Sequence, residues 1–117
     1  MTVKGEHGRQ AEQLALSFLQ NNKLKLVCKN YHCRYGEIDL IMQDKNTLVF
    51  VEVRYRKNQN FGGAIESIDY RKQQKIRTTA SHYLQNQQSK LNARFDVVLL
   101  SSLNNNNGIE WIKSAFE

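Results

Sequence analysis

Two acidic residues lie inside apolar runs near the middle of the chain, where a carboxylate needs a physical reason. Asp39 belongs to Gly36–Met42 and Glu52 belongs to Leu48–Arg56, and both runs are rich in branched apolar residues. The intervening Asp44–Thr47 has turn chemistry, so the two runs predict a β-hairpin. We therefore expect the two acids to come from neighbouring strands of one sheet.

A two-residue loop at residues 45–46 sets the expected register of this hairpin. It places Asp39 directly opposite Glu52. In the same register Glu37 lies directly opposite Arg54. Like charges in direct opposition destabilise a strand pair, and an unpaired charge among apolar neighbours is costly. Two compensations are open: a divalent cation such as Mg²⁺, which prefers carboxylate oxygens, or a salt-bridge network in which Arg54 satisfies both acids.

Length and composition are those of an ordinary globular domain. The chain has 117 residues, 40% of them hydrophobic and 24% charged, so we expect a single domain over residues 1–117. No apolar run approaches the roughly 20 residues that cross a membrane, and the first residues lack the apolar core of a signal peptide. The expected location is the cytoplasm, without a membrane partner. Cys28 and Cys33 fit no standard zinc spacing and are expected to be reduced.

The charge balance points to a polyanionic partner. Lys and Arg number 17 against 11 Asp and Glu, which gives a net charge of +6, and such an excess favours nucleic acid through phosphate contacts. Arg56 and Lys57 follow the hairpin, where they could guide a phosphate backbone towards the acids. Lys72 and Lys75 share a face of a predicted helix, beside Gln73. Charge runs are also ordinary solvated faces, so the residues alone leave both interpretations open.

The spacing of apolar residues predicts the elements that position these groups. Offsets of three and four give helices, and short apolar runs bounded by polar residues give strands. The predicted elements are helix Arg9–Asn21, strand Leu24–Lys29, the two hairpin strands, a helix from Ala64 or Ser67 to Gln88, strand Arg94–Leu100 and strand Ile109–Lys113. This order, α-β-β-β-α-β-β, predicts an α/β (α+β) fold with a mixed central sheet flanked by helices.

These residues also carry a resemblance. An acid in one strand, then an acid two residues before a basic one in the next, is the pattern of the PD-(D/E)XK nuclease superfamily, here Asp39 with Glu52-Val53-Arg54. The whole chain more closely resembles the YraN-like uncharacterised protein family, whose members look like archaeal Holliday-junction resolvases. The stretches that match are Gly36–Ile41, Val49–Arg56, Lys72-Gln73 and Arg94–Val98. The resemblance implies a restriction-endonuclease-like core and a metal-dependent endonuclease acting on DNA, including branched DNA.

The resemblance further implies a role for particular residues. Asp39 and Glu52 would ligate Mg²⁺ or Mn²⁺, with the backbone carbonyl of Val53 as a further ligand. Glu12 matches a helical acid of resolvase-like members, where it would hold a metal-bound water. The pair Lys72-Gln73 matches positions that contact the scissile phosphate. Such a metal lowers the pKa of a bound water and offsets charge in the transition state. Because resolvases act as dimers, a homodimer is a further expectation.

One residue departs from the superfamily pattern. Arg54 stands where a lysine is usual, and arginine stays protonated, so it cannot abstract a proton. It can still clamp a phosphate with two hydrogen bonds. Three hypotheses therefore stand: a metal-dependent nuclease with Asp39, Glu52, Arg54 and Glu12 as catalytic residues; a non-catalytic nucleic-acid-binding module that retains the nuclease fold; and an assembly protein whose acids are held in structural ion pairs.

Overall fold

A computed structural model describes residues 5–56, 68–87, 91–104 and 108–117 of the chain. Within them the elements follow the predicted order α-β-β-β-α-β-β. They are α1 (Glu6–Asn21), β1 (Lys25–Cys33), β2 (Gly36–Asp44), β3 (Thr47–Tyr55), α2 (Tyr70–Gln85), β4 (Asn92–Leu100) and β5 (Ile109–Phe116). The order and the mixed sheet confirm the predicted α/β (α+β) class and fit a nuclease-like core.

The five strands form one sheet in the order β1-β2-β3-β4-β5, so β3 is the central strand. The pairs β1–β2, β2–β3 and β4–β5 are antiparallel, whereas β3 and β4 are parallel. Parallel neighbours need a long crossover connection, and α2 lies in the segment that joins β3 to β4. The strand that carries Glu52 is therefore followed directly by the segment that contains the second helix.

The two helices cover opposite faces of the sheet. Sheet residues packed with α1 form one buried cluster (the α1-side cluster), which includes Leu40, Met42, Val49, Val51, Val98 and Leu100. Those packed with α2 form a second (the α2-side cluster), which includes Ile38, Ile41, Leu48, Phe50, Val97 and Leu99. Because β4 contributes to both clusters, its continuous apolar run is explained by burial on both faces. No helix among the described residues is long and apolar enough to cross a membrane.

The predicted hairpin register is confirmed over its first five pairs. They run from Asp44–Thr47 at the loop to Leu40–Val51. The paired stretch stops there, one step before Asp39 and Glu52, so the expected direct opposition of these acids is not part of the ladder. Glu37 pairs with His32 of β1, and its expected pairing with Arg54 is likewise absent from the described ladder.

Several predicted boundaries shift for local reasons. The second helix begins at Tyr70, later than expected, because the Asp69 side chain caps it and accepts a hydrogen bond from the Lys72 amide at 2.9 Å. It ends at Gln85, short of the predicted Gln88. The predicted starts at Ala64 and Ser67 lie outside the described residues. The first and last elements are longer than predicted, since α1 begins at Glu6 and β5 continues to Phe116.

Candidate functional site

Asp39 lies where β2 and β3 begin to separate. Ile38 and Ile41 are three residues apart, yet both belong to the α2-side cluster, so the strict alternation of β2 breaks between them. Asp39 is buried, with 7% of its surface exposed. Its Oδ2 accepts a hydrogen bond from the backbone N–H of Val53 at 2.9 Å. A side-chain carboxylate thus binds a main-chain donor of β3 just beyond the last ladder pair, which fixes the orientation of Asp39.

Glu52 is held between two cations. It is 8% exposed, and its Oε2 lies 3.0 Å from Lys72 Nζ and 3.4 Å from Arg54 Nε. Arg54 follows Glu52 on the same face of β3, whereas Lys72 reaches it from the first turns of α2. The structure therefore brings together three of the predicted site residues, and the docking of α2 on this face of the sheet explains why.

The protonation of Glu52 reflects this crowded setting. Burial raises the pKa of the Glu52 carboxyl, and the nearby charge of Asp39 raises it further. Lys72 and Arg54 act in the opposite direction, yet the net shift of the pKa is upward. The two acids are thus close enough to repel each other, and two neighbouring cations do not fully compensate them.

Glu12 belongs to the buried side of α1. Only 5% of its surface is exposed, and Ala11, Ala15 and Leu16 are buried on the same helix. Among the residues that the structure describes, no group of three His, Cys, Asp or Glu side chains is arranged to hold a metal ion. Metal binding by Asp39 and Glu52 and a role for Glu12 in holding a water both stay predictions.

Arg56, Lys57 and Gln73 are three of the residues predicted to contact nucleic acid. Arg56 is exposed beyond the end of β3, where its Nη1 donates to the Tyr55 carbonyl at 2.9 Å, and Lys57 lies outside the described residues. The Gln73 side chain donates to the Ile68 carbonyl at 3.0 Å, so it braces the start of α2. A contact between Gln73 and a phosphate stays a prediction.

Lys72 and Lys75 line a groove of about 690 Å³ between α2, the β1–β2 turn and the start of α1. We call it the basic groove, since its lining includes four cationic residues and one carboxylate: Arg9, Arg34, Lys72, Lys75 and Glu37. Sequence reasoning missed Arg9 and Arg34. Each is a single cation on its own segment, and only the fold brings the three segments together.

Comparison with known proteins places the chain in a family. The sequence model described as "Uncharacterised protein family UPF0102" matches residues 11–100. The chain belongs to this family. A UPF0102 protein from Nitrosomonas europaea is 51% identical over all of this chain and 98% of its own length. One from Psychromonas ingrahamii is 52% identical over all of this chain and 94% of its own length. A third, from Legionella pneumophila, is 53% identical over 96% of this chain and 95% of its own length.

Asp96, a further buried acid of this UPF0102 chain, has a structural role. Asp96 is fully buried and accepts hydrogen bonds from Trp111 Nε1 and the Ser114 amide, each at 2.9 Å. Arg94 Nε lies 3.1 Å from it, and Arg94 also pairs with Asp44 at 3.0 Å. These contacts join β4 to β5 and to the end of β2. Asp96 is therefore a buried partner of Arg94.

Proposed function

We propose that this UPF0102 protein is a metal-dependent phosphodiester hydrolase that acts on DNA, including branched DNA, with Mg²⁺ or Mn²⁺ as cofactor. The observation that carries the proposal is the buried pair Asp39 and Glu52, flanked by Lys72 and Arg54 on a basic surface. An acid whose pKa is raised by burial and by a neighbouring carboxylate, as that of Glu52 is, is common where chemistry is done. A dication between Asp39 and Glu52 would relieve the repulsion between the two carboxylates, which burial strengthens.

The donor set fits Mg²⁺ or Mn²⁺. Mg²⁺ is commonly held by one or two carboxylates and keeps several waters, so two acids suffice. Val53 donates its N–H to Asp39, and a residue's N–H and C=O face the same neighbour in a β-ladder. This supports the Val53 carbonyl as a further ligand. The Lys72 side chain is 39% exposed, and a lysine carries its charge on a flexible four-carbon stem, so Lys72 can leave Glu52 when a cation binds.

The residues of this chain would then divide the work. Asp39 and Glu52 would hold the cation, which supplies an activated water and Lewis-acid polarisation of the phosphate. Arg54 stays charged, so it would bind phosphate oxygens and stabilise the negative charge that develops on them. Lys72, 3.0 Å from Glu52, would neutralise the phosphate from the α2 side. Proton abstraction by Arg54 has no part in this scheme.

Cleavage of labelled DNA tests the proposal. Four-way junction, flap and blunt duplex are incubated with Mg²⁺ or Mn²⁺ and with wild type, Asp39→Asn, Glu52→Gln or Glu110→Gln. Glu110 is an exposed acid on β5 and serves as the matched control. We expect cleavage by wild type and the control and none by the two site variants. Cleavage that persists in both site variants, or none by wild type on any substrate, would contradict the proposal.

A second candidate is a nucleic-acid-binding module that retains the fold without hydrolysis. Arg54 at the usual lysine position and the basic groove favour it. Calorimetry of Mn²⁺ binding to wild type and Asp39→Ala separates the two. Binding that is lost in Asp39→Ala supports the hydrolase, whereas DNA binding in EDTA with no detectable Mn²⁺ binding supports the module.

A further inference from the structure

The basic groove lies beside the acid pair and is connected to it by one side chain. Lys72 lines the groove and also contacts Glu52 at 3.0 Å. On the opposite wall, the β1–β2 turn packs tightly against α2, because a Cβ added at Gly36 would lie 3.0 Å from Thr79 Oγ1. A ligand that occupies the groove and contacts Lys72 would therefore lie next to Glu52, beside Asp39.

The charges of the groove are suited to a phosphodiester chain. Arg34 and Lys75 have no ion-pair partner among the described residues, and the groove they line holds four cationic residues against one carboxylate, Glu37. Arg9 also lines it, although it pairs with Glu6 at 2.7 Å. Cations spaced along a channel are the usual means of following a nucleic-acid backbone without reading sequence.

One wall also offers a planar surface. Tyr35 is 39% exposed, and the Arg34 guanidinium lies 4.9 Å from the centre of its ring. Arg34 Nη2 donates to the Tyr35 hydroxyl at 2.7 Å, and the ring of His82 on α2 lies 5.9 Å from that of Tyr35. Tyr35 is thus in contact with both Arg34 and His82. Aromatic rings and arginine planes stack on unpaired bases, whereas the bases of a duplex are already stacked on each other.

We propose that the basic groove binds an unpaired DNA strand, with a base stacked on the Arg34–Tyr35 pair and phosphates on Lys72 and Lys75. A volume of about 690 Å³ is that of a small-ligand pocket, which suits one or two nucleotides and not the width of a duplex. The inference rests on the proposed function. It narrows the substrate to DNA that has a single-stranded arm next to the scissile bond.

Binding in EDTA tests the groove separately from cleavage. Fluorescence anisotropy compares a blunt duplex with the same duplex carrying a single-stranded overhang. Wild type is expected to bind the overhang more tightly. Tyr35→Leu should lower overhang affinity by about 5- to 150-fold, the range for loss of one stacked base. Arg34→Lys keeps the charge without the plane and should lose the preference while it keeps the salt dependence.

The salt dependence tests the phosphate contacts. Lys75→Ala should reduce the slope of log affinity against log salt by about 0.7, the value for one phosphate contact on a single strand. Lys25→Ala is the control, because Lys25 is exposed at the far end of β1 from the turn, and its slope should equal that of wild type. Circular dichroism confirms that each variant is folded.

Two results would overturn the inference. Equal wild-type affinity for blunt and overhang DNA would do so, and so would a preference that survives in both Tyr35→Leu and Arg34→Lys. In either case cleavage that depends on Asp39 could still be observed, and the proposed hydrolase would stand. Overhang binding without cleavage would support the groove and contradict the hydrolase. If no DNA probe binds in EDTA, the groove inference fails, and cleavage in Mg²⁺ or Mn²⁺ decides the hydrolase separately.

Discussion

Removal of Arg54 tests how the acid pair is stabilised. The Arg54 side chain is 15% exposed and that of Glu52 is 9% exposed, whereas Lys72 is 39% exposed. Lys72 lies closer to Glu52 and lowers the pKa of Glu52 more than Arg54 does. Water can replace the Lys72 ammonium at the surface, however. Removal of Lys72 should therefore cost only about 0.2–1 kcal/mol of unfolding free energy, as for an exposed ion pair.

Arg54 should matter more to stability, because water cannot easily replace it. Loss of one partner from a buried pair costs about 3–5 kcal/mol, and Lys72 remains to offset part of this. We expect Arg54→Met to lose about 2–3 kcal/mol at neutral pH. With a urea m-value of about 1–3 kcal/mol/M, the unfolding midpoint should fall by about 0.7–3 M.

The same substitution in a Glu52→Gln background gives the decisive comparison. Without the Glu52 charge, Arg54 is itself a buried cation with less to pair with, so Arg54→Met should cost less than about 1 kcal/mol there. Equal losses in the two backgrounds would refute the reasoning, since Arg54 would then stabilise the fold by packing alone. A saturating dication should restore more stability to Arg54→Met than to wild type, if it binds the acid pair.

Three further predictions concern unfolding in urea. Burial is the first cause of the raised pKa of the Glu52 carboxyl. The stability that the protonated Glu52 contributes is therefore complete below 4.5, its pKa in the unfolded chain, and is lost as the pH rises through the pKa in the folded protein. Glu52→Gln should therefore gain stability relative to wild type as the pH rises above 4.5, and a constant difference would contradict this. Asp96→Asn should cost about 3–5 kcal/mol, because the charge that Arg94 and Trp111 contact is lost; Trp111 fluorescence reports the transition, and a loss under about 1 kcal/mol would refute it. Gly36→Ala should cost about 1–3 kcal/mol, because φ is +150° there and the new Cβ meets Thr79; an unchanged midpoint would refute it.

The hairpin shows what local sequence can predict. Its loop chemistry and branched apolar residues were sufficient for a register that the structure confirms from Asp44–Thr47 to Leu40–Val51. The stripe of apolar residues on α1 likewise predicted a helix whose buried residues include Ala11, Ala15 and Leu19. These features depend on contacts close in sequence, or on a period that one helix or one strand pair must satisfy.

The sequence could not predict the candidate site in full, because its residues meet through contacts between segments that are distant along the chain. The break in alternation near Asp39 places both Ile38 and Ile41 on the α2 side, and a strict period of two along the strand does not predict it. The contact between Lys72 and Glu52 joins a helix to a strand, so a charge pattern on the helix could not distinguish it from a solvated face. The groove likewise required three segments to meet, and its cations are dispersed along the chain.

The charges around Asp39 and Glu52 explain why arginine is compatible with the proposed hydrolase. The formal charges of the two carboxylates equal those of Arg54 and Lys72 beside them, so a dication that arrived with one phosphodiester would leave a net formal charge that is positive. Such an excess favours a transition state more negative than the substrate. A lysine at position 54 that gave up its proton would weaken this excess, whereas Arg54 maintains it at every physiological pH. On the proposed function, Arg54 therefore acts by fixed charge, and its replacement by lysine should preserve cleavage only while that lysine stays protonated.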